Sequence, residues 1–425
     1  MAGATTGTIR IDRERLWDSL MELANIGSYE DRSTGLRGVN RLTLTDADLA
    51  ARSTLMSWMQ EAGLEVRVDR IGNIYGRREG SDPQALPVVA GSHIDTVATA
   101  GAFDGPLGVL GALEVVRSLN DADITTTRAL EVACFTEEEG GRFGTDMLGS
   151  AVAAGRIPLE EALALTDPTG RTLGAELART GFAGDAPERL PAPHAYVECH
   201  IEQGPVLAGS GIDVGVVIGT QGISWQEITI NGRAAHAGAT PTELRADAGL
   251  AAAATTVRLR AMTESGVFGQ LRATVGELRL TPNVVNIIPA SAVFTVDLRS
   301  PDDDHLRRAE VALDEYLEEL CSQNPALTVS SRRLARTKFV GFDPRLRSLI
   351  AEIADGLGLS HAAILSGAGH DAQEMAALCP TGMVFVRGEY EGISHTPREY
   401  SSPEACEQGV NVLAGTMLRL ATTPS

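Results

Sequence analysis

The spacing of hydrophobic positions predicts that the chain begins with helices. Leu16, Leu20 and Leu23 recur at the interval of one helical face. Thr45, followed three residues later by Asp48, is a capping box that opens a second helix. The chain is therefore expected to begin with one helix over 11–26 and a second from Thr45 to near Gly63.

Short hydrophobic runs typical of β-strands follow from residue 65 onward. These runs cover residues 65–69, 88–91, 129–135 and 195–200. A helical stretch over 106–119 separates the second run from the third. This alternation of strands and helices indicates an α/β sheet domain.

The order of elements changes over residues 214–331, where it becomes strand, helix, strand, strand, helix, strand. The predicted segments are 214–230, 244–262, 271–280, 292–299, 304–320 and 327–331. This βαββαβ order is typical of a small two-layer domain. Because α/β patterning resumes afterwards, we expect a discontinuous catalytic domain over 1–213 and 332–425, with 214–331 inserted.

Composition and charge narrow the possible partners. With 43% hydrophobic and 22% charged residues, the 425-residue chain has a globular composition and contains no apolar run long enough to span a membrane. The net charge of −20 disfavours nucleic acid and anionic membranes as partners, so an anionic substrate needs a local basic site. The first ten residues lack the apolar core of a secretory signal, and a cytoplasmic location is expected.

Histidines and carboxylates recur at or near the ends of the predicted strands. They are His93, Asp104, Glu139, His200 and His395. Taken singly, Asp104 is better explained as a helix cap before Gly-Pro. The acidic run around Glu139 could be a solvated loop, but its position at a strand end favours a site where a cation relieves the repulsion between the carboxylates. Taken together, they place mixed nitrogen and oxygen donors at the carboxyl edge of a sheet, a set suited to Zn²⁺, Mn²⁺, Co²⁺ or Ni²⁺.

A series of motifs carries a family resemblance over nearly the whole chain. In order, they read GSHIDTV, FDGPLGV, EEEGGRF, HIEQGP, GRAAHAGATP, PNVVNIIP, VDLRS, GAGHDA and ISHTPREY. The series resembles the amidase, hydantoinase and carbamoylase branch of the M20 metallopeptidase-like family. That branch includes N-carbamoyl-L-amino-acid hydrolases, allantoate amidohydrolases, ureidoglycolate hydrolases and β-ureidopropionases.

The resemblance implies a centre with two divalent metal ions in each subunit. Asp104 would bridge the metals, His93 and His200 would complete one site, and Glu139 and His395 the other. Glu138 would be the general base. His200 disfavours a dipeptidase, because peptidase relatives commonly carry an acidic ligand at this position.

The resemblance also implies a set of substrate contacts. Arg299 would bind a substrate carboxylate, although a surface ion pair is the alternative explanation for this residue. His236 would polarise the scissile carbonyl or stabilise the oxyanion. The remaining contacts expected are Gln203, Asn286, Gly367, Gly369 and His370. The inserted domain is expected to act as a lid and to form a homodimer, in which His236 acts in its own subunit or in the partner's site.

These expectations favour hydrolysis of a small anionic ureido substrate. The leading hypothesis is cleavage of an N-carbamoyl-L-amino acid to the amino acid, ammonia and carbon dioxide. Allantoate, ureidoglycolate and β-ureidopropionate are close alternatives, since each offers a carboxylate and a ureido group. A dipeptidase and a non-catalytic binding protein are the more distant ones, and the presence of Glu138 argues against the latter.

Overall fold

The structure is a computed structural model that describes residues 9–422. Residues 1–8, which include most of the segment used to expect a cytoplasmic location, lie outside this range. Among the helices of residues 9–422, none combines the length and the hydrophobicity that a membrane span requires. The chain divides into two compact units, one formed by the residues up to Gly219 and from Gly341 onward, the other by Thr220–Val340.

Residues 9–422 form twelve α-helices and eighteen β-strands. The α-helices are α1 (Arg13–Asn25), α2 (Asp46–Glu61), α3 (Pro106–Asp121), α4 (Leu148–Ala154), α5 (Leu159–Ala164), α6 (Leu173–Thr180), α7 (Val206–Ser210), α8 (Ala248–Glu264), α9 (Asp303–Gln323), α10 (Pro344–Gly356), α11 (Asp371–Met375) and α12 (Pro403–Thr422). The strands are β1 (Ser28–Glu30), β2 (Arg37–Val39), β3 (Glu65–Val68), β4 (Ile74–Arg78), β5 (Val88–His93), β6 (Leu130–Phe135), β7 (Ala195–Ile201), β8 (Val214–Thr220), β9 (Gly222–Asn231), β10 (Ala235–His236), β11 (Arg272–Thr274), β12 (Leu278–Thr281), β13 (Ile287–Ile288), β14 (Ser291–Ser300), β15 (Thr328–Thr337), β16 (Val340–Gly341), β17 (His361–Ser366) and β18 (Thr381–Val386).

A mixed sheet forms the centre of the first unit. Its strands follow the order β16-β8-β18-β7-β5-β6-β4-β3, and β17 pairs with β8. The four central strands, β18, β7, β5 and β6, are parallel to one another. Each of these four is buried along its whole length, which explains why they read as continuous apolar runs in the sequence. The predicted α/β class is therefore confirmed.

Hydrophobic clusters cover this sheet and fix its strands. The larger cluster includes Leu20 of α1, Leu110 of α3 and Leu413 of α12, packed with strand residues such as Val132. Another cluster joins β4, β6 and β18 through Tyr75, Phe135 and Phe385. With helices over the parallel strands, the carboxyl ends of β5, β6 and β7 remain at one edge of the sheet.

The second unit contains a small antiparallel sheet with helices on one face. Strand β14 pairs with β9, β9 pairs with β15, and β11 and β12 follow each other along the free side of β14. Leu306 and Leu313 of α9 and Leu259 of α8 pack with Phe294 and Ile228 in the core between sheet and helices. The long elements follow the order β9, α8, β14, α9 and β15, and the strand predicted over 271–280 is the two short strands β11 and β12.

The strand predicted over 214–230 is two strands that break at Gln221. β8 pairs with β18 in the first unit, whereas β9 pairs with β14 in the second. β15 also extends to Thr337, beyond the predicted end at residue 331. The unit limits consequently lie a few residues beyond the boundaries expected from the sequence, because an apolar run alone does not reveal where a chain changes sheet.

Candidate metal centre and active site

Adjacent parallel strands bring the first candidate ligands together. His93 is the last residue of β5, His200 is the penultimate residue of β7, and the acidic run follows β6, which ends at Phe135. Asp104 precedes α3, separated from it by Gly105. Gly105 has φ 82°, and a Cβ atom there would lie 2.4 Å from the His93 ring, so only glycine lets this loop approach the histidine.

Asp104 lies between two groups of donors. Its Oδ1 is 3.2 Å from His200 Nε2 and 3.9 Å from His93 Nε2. Its Oδ2 is 3.4 Å from His395 Nε2, and that nitrogen is also 3.2 Å from Glu139 Oε2. Within each group the donor atoms all lie within 4.8 Å of one another. The five ligands expected from the sequence thus form two groups that share one carboxylate.

The electrostatics of these groups fit a bound cation. Burial opposes ionisation of Asp104, but hydrogen bonds from His200 and His395 outweigh it and hold the pKa of Asp104 well below its usual value. Hydrogen bonds to Asp104 and Glu139 in turn raise the pKa of His395 to about 11. Buried carboxylates that attract nearby positive charge in this way suit a divalent ion, and the nitrogen and oxygen donors are those such ions prefer.

The three consecutive glutamates after β6 have different surroundings. Glu137 folds back, and its Oε1 accepts hydrogen bonds from the backbone N–H groups of Arg142 and Phe143, at 2.9 and 2.5 Å. Glu138 is buried with its Oε2 3.4 Å from His93 Nε2. Burial, together with the neighbouring carboxylates of Asp371 and others, raises the pKa of Glu138 well above its usual value. The run is thus a shaped part of the site, not a solvated loop.

Asp95, two residues beyond His93, supplies the acceptor for the ring nitrogen of His93 that faces away from the donor group. The Nδ1 of His93 lies 2.9 Å from the backbone carbonyl oxygen of Asp95 and 3.8 Å from the carboxylate. The carboxylate instead accepts hydrogen bonds from the backbone N–H groups of Glu138 and Glu139. Asp95 therefore orients the ring with its backbone and the acidic run with its side chain.

A third group of possible ligands comprises Glu198, His200 and His370. The oxygens of Glu198 already accept hydrogen bonds from the hydroxyls of Ser92 and Tyr196 and from the backbone N–H of Ala372. Through these hydrogen bonds Glu198 holds neighbouring residues of the site in place. The His370 ring lies 4.4 Å from that of His200, centroid to centroid, and its Nε2 is 2.9 Å from the Ser366 hydroxyl. Gly367 and Gly369 lie in the same turn, between β17 and α11.

Gln203 contacts the shared carboxylate. Its Nε2 donates a 2.7 Å hydrogen bond to Asp104 Oδ2, and its backbone adopts a left-handed φ of 53°. Its Oε1 is buried and has no partner among residues 9–422. A buried acceptor without a partner costs free energy, so this oxygen is available to an amide N–H of a ligand.

His236 and Asn286 lie together in the second unit. The short strands β10 and β13 pair His236 with Ile287, and the carbonyl oxygen of Asn286 accepts a hydrogen bond from Ala237 N–H. The His236 Nδ1 accepts hydrogen bonds from the backbone of Gly238 and Ala239, each 3.1 Å long. In the neutral ring these bonds place the proton on Nε2, which makes that exposed nitrogen a donor.

Arg299 lies on β14, on the face of the sheet opposite the helices. Its Nε and Nη2 donate to the carboxylate of Asp297, two residues earlier, at distances of 2.8–3.1 Å. The ion pair considered as an alternative for this residue therefore exists. It also holds the planar guanidinium in a fixed orientation while the side chain remains about a quarter exposed.

Ser394 and Glu399 are site residues that the sequence reasoning missed. The Ser394 hydroxyl is 2.7 Å from Asp104 Oδ2 and 2.6 Å from Glu399 Oε2. They stand in the same ISHTPREY motif as His395, which was the only signal available. Their partner Asp104 is almost three hundred positions away, and no local pattern reveals such a contact.

An α/β unit that carries two donor groups around a shared aspartate is the architecture of a metallohydrolase. The model of the family described as "Peptidase family M20/M25/M40" matches residues 89–419, and the chain belongs to this family. The resemblance stated from the motifs is therefore confirmed.

Relatives and solved structures refine this assignment. The chain is 42% identical over 413 residues to an N-carbamoyl-L-amino-acid amidohydrolase of Rhizobium meliloti, covering 97% of each chain. It is 36% identical to a ureidoglycolate hydrolase of Arabidopsis thaliana, covering 97% of this chain and 88% of the other. A crystal structure of an amidase of the hydantoinase/carbamoylase family from Burkholderia vietnamiensis superposes with a TM-score of 0.91 at 44% identity, covering 98% of this chain and 99% of that one.

Proposed function

We propose that the protein is a metal-dependent amidohydrolase that cleaves the ureido C–N bond of an N-carbamoyl-L-amino acid, giving the amino acid, ammonia and carbon dioxide. The observation that carries the proposal is Asp104 standing between two donor groups, with the buried Glu138 beside His93. The similarity to the N-carbamoyl-L-amino-acid amidohydrolase of Rhizobium meliloti along nearly the full length supports the same reaction.

The proposed cofactors are two divalent metal ions, drawn from Zn²⁺, Mn²⁺, Co²⁺ and Ni²⁺. Asp104 would serve both, with His93 and His200 holding one ion and Glu139 and His395 the other. Once bound, such ions lower the pKa of water and polarise a carbonyl group. The Nδ1 atoms of His93 and His200 are held by backbone carbonyl oxygens, which turns each Nε2 toward Asp104.

Glu138 is the proposed general base. Its carboxylate is adjacent to the donor groups without being part of either one. It would take a proton from the attacking water and pass it to the leaving nitrogen. Burial favours the protonated form of this side chain, so the site can hold the proton between the two transfers.

The proposed substrate contacts complement a ureido acid group by group. The unpartnered Oε1 of Gln203 suits a ureido N–H, and the Nε2–H of His236 suits the carbonyl oxygen or the oxyanion. Arg299 suits the substrate carboxylate, because a guanidinium can donate two parallel hydrogen bonds to it and the contact with Asp297 fixes the orientation of this one. Asn286, Gly367, Gly369 and His370 complete the proposed set.

Related ureido acids are the second candidate substrates. The similarity to a ureidoglycolate hydrolase at 36% identity favours keeping ureidoglycolate, and with it allantoate and β-ureidopropionate, as alternatives. A dipeptidase is less favoured because His200 occupies a position that is commonly acidic in peptidase relatives. A non-catalytic binding protein is less favoured because it has no use for Glu138.

A homodimer through the inserted domain is part of the proposal. Leu250 and Val257, two turns apart on α8, are 67% and 70% exposed, and both point away from the core of their unit. An apolar stripe of this kind is typical of a surface covered by another chain. The proposal leaves open whether His236 serves its own subunit or the partner, and the cytoplasmic location stays a prediction.

A substrate panel tests the reaction and its specificity together. Chelated protein, reloaded with one metal at a time, is assayed for ammonia release from N-carbamoyl-L-amino acids, allantoate, ureidoglycolate and β-ureidopropionate. We expect the highest kcat/KM with an N-carbamoyl-L-amino acid. A clear preference for allantoate or ureidoglycolate would replace the proposed substrate, and cleavage of unmodified dipeptides alone would overturn the amidohydrolase assignment.

A further inference from the structure

Glu399 is a buried carboxylate that none of the proposed chemical steps uses. It is 6% exposed and belongs to the loop between His395 and α12. No arginine or lysine among residues 9–422 forms an ion pair with it, and its carboxyl group is held by hydrogen bonds. A buried acid held in this way needs a reason, since burial without a cationic partner is costly.

The donors to Glu399 belong to the loop of the shared metal ligand. Its Oε1 accepts hydrogen bonds from the backbone N–H groups of Phe103 and Asp104, at 2.9 and 3.1 Å. Its Oε2 is 2.6 Å from the Ser394 hydroxyl, which is also 2.7 Å from Asp104 Oδ2. Glu399 is therefore linked to Asp104 both through the backbone and through the carboxylate.

The same contacts fasten the loop of His395. Ser394 immediately precedes His395, whose backbone has a left-handed φ of 59° that L-residues seldom adopt. The Thr99 hydroxyl donates a 3.2 Å hydrogen bond to the His395 carbonyl oxygen, which adds a second link between the loop of Asp104 and the loop of His395. Gly101 packs directly on Glu399, since a Cβ atom there would lie 2.4 Å from Glu399 Cβ. A strained backbone at a ligand persists only where its surroundings hold it in place.

We propose that Glu399 is a positioning residue that fixes Asp104 and His395 relative to each other and thereby sets the affinity of the metal group that contains His395. The inference rests on the proposed metal centre and names a function for a residue outside the ligand set. His93 and His200 are held by other backbone groups, so the group that contains them depends less on Glu399. Outer contacts of this type commonly change metal affinity by roughly 10–100-fold.

Titration of the metal-free full-length protein with Mn²⁺ alone tests the proposal, with the number of sites and both dissociation constants measured by calorimetry. The wild type should bind two equivalents. In Glu399→Ala the dissociation constant of one Mn²⁺ ion should rise by about 10–100-fold, and that of the other should change much less. Ser394→Ala removes only the hydroxyl that lies between Glu399 and Asp104, and it should weaken binding of the same Mn²⁺ ion. Glu399→Gln should stay within a few-fold of wild type, because its carbonyl oxygen can still accept both backbone N–H groups.

The control is Glu404→Gln, a change of the same kind at an exposed position on α12, which should leave both constants unchanged. Wild-type binding of both equivalents by Glu399→Ala and Ser394→Ala would overturn the positioning role and leave the metal centre standing. An equal loss of Mn²⁺ affinity in Glu399→Gln and Glu399→Ala would also overturn the positioning role, because the charge of Glu399 and not its hydrogen-bond geometry would then set the affinity. Failure of the wild type to bind two equivalents would instead overturn the proposed centre, and the inference with it.

Discussion

The glutamates at 137, 138 and 139 share a side-chain type and differ in every contact they make. Glu137 holds the loop that follows, Glu138 lies beside His93, and Glu139 lies beside His395. Neighbouring side chains on an irregular loop point in different directions, so consecutive positions can serve folding, proton transfer and metal binding. Substitution at each of them should therefore have a different consequence.

Glu138→Gln should lower kcat by roughly a hundredfold or more, because the amide cannot take a proton from water. Metal content, measured by mass spectrometry after gel filtration, should remain at the wild-type level. Turnover at the wild-type rate in this variant would show that another group is the base.

Glu137→Ala should act on stability instead. The backbone N–H groups of Arg142 and Phe143 would lose their acceptor, at a cost of about 1–3 kcal/mol in the free energy of unfolding for a buried unsatisfied group. Denaturant unfolding of the two variants in parallel measures the contrast, with Glu138→Gln as the control for loss of a neighbouring carboxylate. Unchanged unfolding of Glu137→Ala would refute the structural role.

Arg299→Lys should raise KM and leave kcat less affected. A lysine keeps the charge but loses the planar pair of donors, and a charge-assisted hydrogen bond is worth about 1.5–3 kcal/mol, or roughly 10–100-fold in KM. The matched control is Arg332→Lys on β15, where the arginine pairs with Glu227 on the same sheet. A KM equal to that of the wild type in Arg299→Lys would leave only the ion pair with Asp297 as the role of this arginine.

At the scale of elements, the helices and strands that depend on local periodicity could be predicted from the sequence. The helix α1 and the buried strands β5, β6 and β7 were predicted because their apolar spacing follows directly from helix and strand geometry. The break between β8 and β9 was not predicted, because it depends on their pairing partners β18 and β14, which lie far away in the sequence. For the same reason the candidate ligands were recognisable at strand ends, whereas the contacts of Glu399 were not.

The loop that carries the three glutamates is itself anchored to a helix. Arg142 donates hydrogen bonds to the carbonyl oxygen of Thr43 and to the carboxylates of Asp167 and Glu176. Glu176 belongs to α6, and hydrogen bonds from Arg179 and then Arg142 lower its pKa to about 2, against the opposing effect of burial. The loop is thus tied to α6 by an ionised carboxylate.

Arg142→Met should lower the thermal midpoint at pH 7, and the difference from wild type should depend on pH in a defined direction. Because the pKa of Glu176 is lower in the folded chain than its ordinary value of 4.5, its stabilising contribution is complete above that value and is lost as the pH falls toward 2. The difference in midpoint should therefore narrow below pH 4.5. Arg171→Met is the control, since Arg171 is largely exposed and contacts Glu176 at 3.3 Å. A difference that stays constant down to pH 3 would exclude this ionic anchor.

At the scale of the whole molecule, the exposed side chains of Leu250 and Val257 on α8 are the surface proposed to form the dimer. Val257→Asp should convert the proposed dimer to a monomer, because a buried unpaired charge in an interface is costly. Light scattering after gel filtration measures the mass. Val311→Asp on α9, where the valine is 49% exposed, is the control and should remain a dimer. A wild-type chain that is monomeric, or a Val257→Asp variant that stays dimeric, would contradict the assignment of this surface.

The central claim is that hydrolysis of a ureido acid depends on two metal ions that share Asp104. The most direct test is to titrate metal-free protein with Mn²⁺ while measuring bound metal per chain and ammonia release from an N-carbamoyl-L-amino acid. Activity should be absent without metal and reach its plateau at two bound equivalents per chain. Full activity in the metal-free protein, or a plateau at a single equivalent, would contradict the account.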